Sequence, residues 1–245
     1  MKKKIFLALL ITCITPCIAA AADDTSANDT VRQALKMKLK EGYKDSLVKY
    51  YEETWPSIEA QVKEAGVFDY SVFLDTTNNY LFVVNKYYKG KTFQELTNEW
   101  EKGMSKYLEP VSGDSLYVHL DEFMYINDLN NASEEEVDAK RFAFRMNVKQ
   151  GYEEEIKRRQ TEKFVWPTVK NLLSEYGVYD YAIYWDEETH YLYAVQRYLK
   201  DRTSQDNEEI DPDMQLWWDM QADLMDTYPN NSPVSIELEE LFHAE

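Results

Sequence analysis

One stretch of this chain occurs twice. Trp55-Pro56, Glu64, Gly66-Val67, Asp69-Tyr70 and Asp75 return as Trp166-Pro167, Glu175, Gly177-Val178, Asp180-Tyr181 and Asp186, each displaced by 111 residues. Matches this dense at one spacing, with Trp and Gly among them, mark an internal duplication. A second set, Ala34, Met37, Gly42 and Tyr43 against Ala143, Met146, Gly151 and Tyr152, is displaced by 109. Two residues have therefore entered the second copy between Tyr152 and Trp166. Two residues turn a helix by about 200°, so the insertion is expected in the turn between strand and helix rather than inside a regular helix.

Periodicity supplies the elements. Leu35, Met37 and Leu39 alternate with Lys36, Lys38 and Lys40, a half-buried strand over Arg32 to Leu39. Leu47, Tyr50 or Tyr51, Trp55, Ile58 and Val62 then recur at helical steps, predicting a helix over Tyr43 to Ala65 with a bend at Pro56. Gly66 suits its C-cap. Phe68 to Leu74 and Tyr80 to Tyr88 are strand-like runs joined by hairpin chemistry at Asp75 to Asn79, followed by a helix near Thr92 to Leu108 and a strand over Leu116 to Ile126. The second copy retraces this path: strand Arg141 to Val148, a helix with Trp166, Val169, Leu172, Leu173 and Tyr176 on one stripe, a hairpin of Val178 to Trp185 and Tyr191 to Tyr198, a helix over Asp211 to Asp226, and a last strand from Ile236 to Phe242. The order β-α-β-β-α-β predicts an α+β chain of two ferredoxin-like domains, 31–126 and 139–245, joined by the polar linker 127–138.

The first 22 residues differ from the rest. Lys2 to Lys4 precede an apolar run from Ile5 to Ile18 and the small residues Ala19 to Ala22, the pattern of a cleaved export signal. The run is short for a membrane span of about 20 residues. Residues 23–30 lack apolar side chains of any size and read as a disordered lead-in, and Lys200 to Ile210 as a polar, mobile loop. Export would remove both cysteines, Cys13 and Cys17, and Thr12 and Pro16 are poor residues to precede a lipid-modified cysteine. Losing three lysines would move the formal charge from −18 to −21. A surface this acidic repels phosphate backbones and anionic lipid, which argues against nucleic acid or, after cleavage, membrane as a partner. Metal-spaced His/Cys sets, a Gly-rich phosphate loop and a serine nucleophile elbow are all missing.

The second copy resembles the L-rhamnose mutarotase family. The resemblance is carried by Ala143-Phe144-Arg145-Met146, Trp166-Pro167, Asp180-Tyr181-Ala182-Ile183-Tyr184, Trp217-Trp218, Asn231-Ser232-Pro233-Val234-Ser235 and Glu239-Glu240-Leu241-Phe242. It implies a sugar anomerase whose ferredoxin-like units pair into a dimeric α+β barrel, here as an intrachain pseudo-dimer. It also implies a monosaccharide ligand, L-rhamnose or similar, contacted by Tyr181 and by Trp217 and Trp218. Aromatic faces suit the C–H face of a sugar ring, and a phenol can hydrogen-bond a hydroxyl. In the first copy Tyr70 keeps the tyrosine, but Trp100 is followed by Glu101, so the tryptophan pair is broken.

The departure lies on the long helix. The family carries a proton-donating histidine four residues before the Trp of Trp-Pro and a substrate tyrosine four residues earlier. Counting back from Trp166 gives Glu162 and Arg158; counting forward from Gly151 gives Gln160 and Ile156; the first copy has Tyr51 and Leu47. His119, His190 and His243 lie elsewhere and read as structural or solvated. Mutarotation opens a pyranose by protonating the ring oxygen while O1–H is deprotonated, so it needs a general acid and base but no metal or other cofactor. Glu162, one turn before Trp166, is the candidate acid/base, its carboxyl raised by an aromatic pocket. Three readings stand: a mutarotase with altered catalytic residues, an inactive exported sugar-binding module, and an interaction protein that keeps the pseudo-dimer for its surface.

Overall fold

The computed structural model describes residues 30–64, 66–88, 103–126, 137–138, 140–161, 165–200 and 211–244. The expected export signal, most of the 23–30 lead-in, most of the Thr92 to Leu108 helix, most of the 127–138 linker, nearly all of the Lys200 to Ile210 loop, and Glu162 lie outside these residues.

The first repeat supplies β1 (Thr30–Leu39), α1 (Lys44–Glu64), β2 (Val67–Asp75), β3 (Tyr80–Tyr88), the short β4 (Leu108–Glu109) and β5 (Tyr117–Ile126). The second supplies β6 (Phe142–Asn147), α2 (Glu153–Gln160), α3 (Pro167–Glu175), β7 (Val178–Asp186), β8 (Tyr191–Tyr198), α4 (Pro212–Gln221), β9 (Ser235–Glu237) and β10 (Glu239–Ala244). All strand pairing is antiparallel, in one sheet ordered β10-β2-β3-β1-β5-β7-β8-β6-β9, with β4 on β1. The sheet curls toward a barrel and brings β10 beside β6.

Repeated residues have repeated jobs. Gly66 and Gly177 end the preceding helices at φ 77° and 72°, where a side chain would be strained. Asp69 and Asp180 adopt φ 58° and 52° at the β-bulges of β2 and β7. Asp75 and Asp186 close the hairpins: Asp75 accepts from the Thr77 amide at 2.9 Å, and Asp186 from the Glu188 amide at 3.2 Å.

Two sequence expectations need correction. The last strand of each repeat closes its own copy only with its first half. The first half of β5 pairs with β1, and its second half, Asp121 to Ile126, pairs with β7 of the second repeat. Likewise β9 pairs with β6, whereas β10 crosses to β2 of the first repeat. Each exchange covers a strand edge that would otherwise expose unpaired amides and carbonyls. Nor does the two-residue insertion fall in the strand-to-helix turn. Tyr43 precedes Lys44 at the start of α1 just as Tyr152 precedes Glu153 at the start of α2, so that turn has equal length in both repeats. The additional residues fall between Gln160 and Trp166, where the helix breaks and restarts with Pro167 at its first position. In the first repeat α1 instead continues through Pro56. There the Thr54 hydroxyl donates to the Tyr50 carbonyl at 2.6 Å and that of Ser57 to the Thr54 carbonyl at 2.7 Å.

Between the repeats lies a shared core containing Phe73, Phe82, Tyr184 and Tyr193. Two related ion pairs cross it. Lys36 Nζ is 2.6 Å from Asp186 Oδ2, and Arg145 Nε is 2.8 Å from Asp75 Oδ2, with all four side chains at most 4% exposed. Lys86 reaches Asp180 at 2.6 Å and Asp69 at 3.0 Å, and Arg141 contacts both aspartates. Burial works to raise the Asp180 carboxyl, but Lys86, Arg141 and the Tyr125 hydroxyl hold it below the usual aspartate range.

Asp186→Ala leaves the buried Lys36 ammonium with Glu188 alone, 2.9 Å away, and the Glu188 amide without its hairpin acceptor, and should lower unfolding free energy by about 3–5 kcal/mol, whereas adding Lys36→Met should recover the part due to the ammonium in urea denaturation. Because Asp180 titrates lower in the folded chain than unfolded, its pairing stabilises at neutral pH and is lost as pH falls through the acid range. Stability of Asp180→Asn should therefore fall less steeply with acidification than that of the parent, measured by denaturation midpoints from pH 6 to 3.

Candidate functional site

Under the helices of the second repeat is a cavity of about 340 Å³. Alternation along β7 sends Tyr181, Ile183 and Trp185 toward the helices and Ala182 and Tyr184 into the shared core. Tyr181 stands half-buried against Phe144, ring centroids 6.5 Å apart. Burial pushes its phenol pKa up, so the hydroxyl remains protonated at neutral pH. It hydrogen-bonds no described residue.

Helix α4 forms another wall. Asp211 caps it by accepting from the Asp213 amide at 2.8 Å, and Pro212 occupies the first position. Met214, Trp217 and Gln221, three and four residues apart, face inward. Trp217 meets Trp166 edge-on at 5.8 Å, and Trp218 is half-buried on the same cavity. The structure thus brings Tyr181, Trp217 and Trp218 together around one space.

The Asn231-to-Ser235 segment forms the rim. Asn231, at φ 65°, donates from its side chain to Asp219 at 3.1 Å, and Gln215 donates to the Asn230 carbonyl at 2.7 Å. A tight turn between Tyr228 and Ser232, closed by a 2.9 Å backbone bond, brings Ser232, Pro233 and Ser235 to the cavity.

Gln160, the last residue of α2, is 6% exposed and lines the cavity, while Arg158 points outward and pairs with Glu155 at 2.7 Å. Of the two helix registers, the one counted from Gly151 therefore supplies the inward residues, Ile156 and Gln160. His119 contacts Gln33, His190 contacts Glu153 and His243 contacts Ser71; none of them borders the cavity. Gln221, absent from the sequence expectation, is 1% exposed with neither side-chain amide atom hydrogen-bonded to a described residue. Met124 and Ile126, also unexpected, enter from β5 of the other repeat. Among the described residues no cluster of His, Cys, Asp and Glu is arranged to hold a metal.

The related position in the first repeat is filled. Tyr51, in the place of Gln160, is fully buried, stacks on Phe242 at 4.9 Å and lies 3.3 Å from the Tyr70 hydroxyl. Trp55 packs on Tyr70 at 5.5 Å and on Phe242 at 5.0 Å. Phe242 comes from β10, as Met124 comes from β5.

A curled antiparallel sheet with helices outside it defines the dimeric α+β-barrel fold. A candidate monooxygenase from Fusobacterium nucleatum subsp. nucleatum shares this fold at a TM-score of 0.51 and 12% identity, over 89% of this chain and 95% of that one. The family resolves further. The family model for L-rhamnose mutarotase matches twice, over residues 32–125 and 141–244, and the chain belongs to that family. It is similar to the L-rhamnose mutarotase of Phocaeicola vulgatus, 47% identical over 104 residues, and to that of Bacteroides thetaiotaomicron, 51% identical over 106 residues. Each alignment covers 42% of this chain and 97% of the relative.

Tyr51→Ala empties a fully buried ring and should cost about 3–5 kcal/mol of stability. Gln160→Ala, beside an existing cavity and breaking no hydrogen bond to a described residue, should cost no more than about 1 kcal/mol. Equal losses in denaturant titrations would contradict the difference between the two sites.

Proposed function

We propose that the second-repeat cavity binds a monosaccharide, L-rhamnose or a close analogue, as its pyranose, and that the protein interconverts its α and β anomers. The carrying observation is the convergence of Tyr181, Trp217 and Trp218 with two buried carboxamides around a single cavity of ligand size. Indole surface suits the C–H face of the ring, and the phenol and amides suit its hydroxyls. The relatives named L-rhamnose mutarotase support the choice of sugar.

Ring opening breaks the C1–O5 bond as a proton reaches O5 and another leaves O1, and closing on the opposite carbonyl face gives the other anomer. Gln160 cannot supply that proton, because a carboxamide does not titrate near neutral pH. Glu162, two residues further on, is the proposed acid/base. A second reading has its own support: no carboxylate, imidazole or amine lines the cavity among the described residues. On that reading the chain is a sugar-binding module without turnover. Both readings include an intrachain pseudo-dimer of two ferredoxin-like units, supported by the sheet order β7-β8-β6-β9 within the second repeat and by the exchanged strands. Both also include export directed by residues 1–22, supported by their charge and apolar pattern.

Two-dimensional exchange NMR of L-rhamnose anomers should show faster α/β exchange with the full chain, reduced at least about 100-fold in Glu162→Gln, in line with the usual worth of a general acid. Broadened sugar signals without faster exchange would select the binding-module reading. Met124→Phe, which introduces the ring that fills the first repeat, should abolish sugar binding, and Trp217→Ala should weaken it with the fold intact by circular dichroism. Unchanged binding in both variants would contradict the cavity as the site.

A further inference from the structure

We propose that Gln221 is a specificity-determining residue that reads two adjacent hydroxyls of the bound sugar, its Oε1 accepting from one while its Nε2 donates to the next. This inference rests on the reading of the second-repeat cavity as a monosaccharide site.

Gln221 interrupts an apolar stripe. Met214 and Trp217 precede it on the inward face of α4, and Met225 follows, buried, four residues on. A leucine or methionine at 221 would continue that stripe with nothing left unsatisfied. A carboxamide there carries an acceptor and two donors, yet at 1% exposure neither Oε1 nor Nε2 has a hydrogen-bond partner among the described residues. Buried polar groups are almost always paired, and one that lines a cavity points to what the cavity takes up. The polar neighbours leave the position open: the Ser232 hydroxyl is engaged by Asn230 at 2.8 Å, and neither Gln160 nor Tyr181 bonds to Gln221.

The chemistry of the amide selects its complement. An acceptor and a donor on neighbouring atoms match two groups that can each give and take a hydrogen bond, and adjacent ring hydroxyls are such a pair. Trp217, one helical turn earlier on the same face, offers aromatic surface to the ring itself. One face of α4 therefore presents stacking and diol recognition within a single turn. In a 6-deoxyaldopyranose the C1 hydroxyl changes face as the anomers interconvert, so an amide that reads one fixed pair takes C2/C3 or C3/C4, and both include the hydroxyl at C3. Loss of that hydroxyl must strand one half of the amide whichever pair is read.

The test is calorimetric titration of the full chain with L-rhamnose and its 2-, 3- and 4-deoxy analogues, repeated with Gln221→Met. The parent protein should bind the 3-deoxy sugar at least about 10-fold more weakly than L-rhamnose, together with only one of the other two analogues. Gln221→Met should lose a similar factor for L-rhamnose and bind the 3-deoxy sugar no worse than it binds L-rhamnose. Its sugar-free unfolding temperature should equal or exceed the parent's, because the unpartnered amide is gone. A parent protein that binds L-rhamnose and the 3-deoxy sugar alike would overturn the inference and leave the sugar site standing, and so would a variant that keeps parental affinity. A parent protein that takes up none of the four sugars would overturn the sugar reading and this inference with it. Were Gln221→Met to misfold, the parent's ranking of the analogues decides alone.

Discussion

The second half of each repeat's last strand is hydrogen-bonded into the sheet of the other repeat, and most of the structure depends on this exchange. Tyr181 pairs with Ile126 and Tyr70 with Ala244, so each candidate site borders a strand from the opposite repeat. The exchange also brings the hairpin aspartates within reach of the opposite first strands, where Lys36 and Arg145 meet them in the shared core. Buried ion pairs contribute little net stability over apolar substitutes, but breaking one is expensive. Their value here is positional: they fix how one repeat is set against the other, and with it which side chains the exchanged strands deliver.

That delivery makes the repeats unequal. Strand β10 brings Phe242 to the first repeat, where it stacks on the fully buried Tyr51 and packs at a tilt against Trp55. Strand β5 brings Met124 to the second, opposite Gln160, and a cavity remains. The two residues inserted after Gln160 have a related effect. They end α2 at the cavity wall, whereas α1 runs on unbroken past Tyr51. The first repeat thus holds a packed aromatic cluster around Tyr51, and the second a pocket lined by aromatic side chains with the carboxamide of Gln160 in the corresponding place.

Much of this was legible in the sequence. The hairpins and the helix-ending Gly66 were read from local residue types, because these depend on local backbone chemistry that particular residues report, whereas the bulges at Asp69 and Asp180 appeared only in the structure. Tyr181, Trp217 and Trp218 were legible through family resemblance, and the structure gathers them around one cavity. The strand exchange was not legible, since a strand's hydrophobic alternation says nothing about which edge it pairs with. The site of the insertion was inferred wrongly because helical regularity was assumed through Trp166, where the chain instead breaks and restarts at Pro167. Gln221 escaped notice because one glutamine within a helical stripe carries no signal until its burial and its lack of partners are seen. Met124 escaped because it belongs to the other repeat.

The central claim is that the duplication retains one sugar-accepting cavity per chain, built by the second repeat and closed by a strand from the first. The most direct measurement is the stoichiometry of L-rhamnose binding to the full chain at protein concentrations well above the dissociation constant. The account predicts one sugar per chain. Two equivalent sugars would show that the Tyr51–Phe242 cluster opens to ligand, and no uptake would show that the second-repeat cavity is not a sugar site; either result contradicts the account.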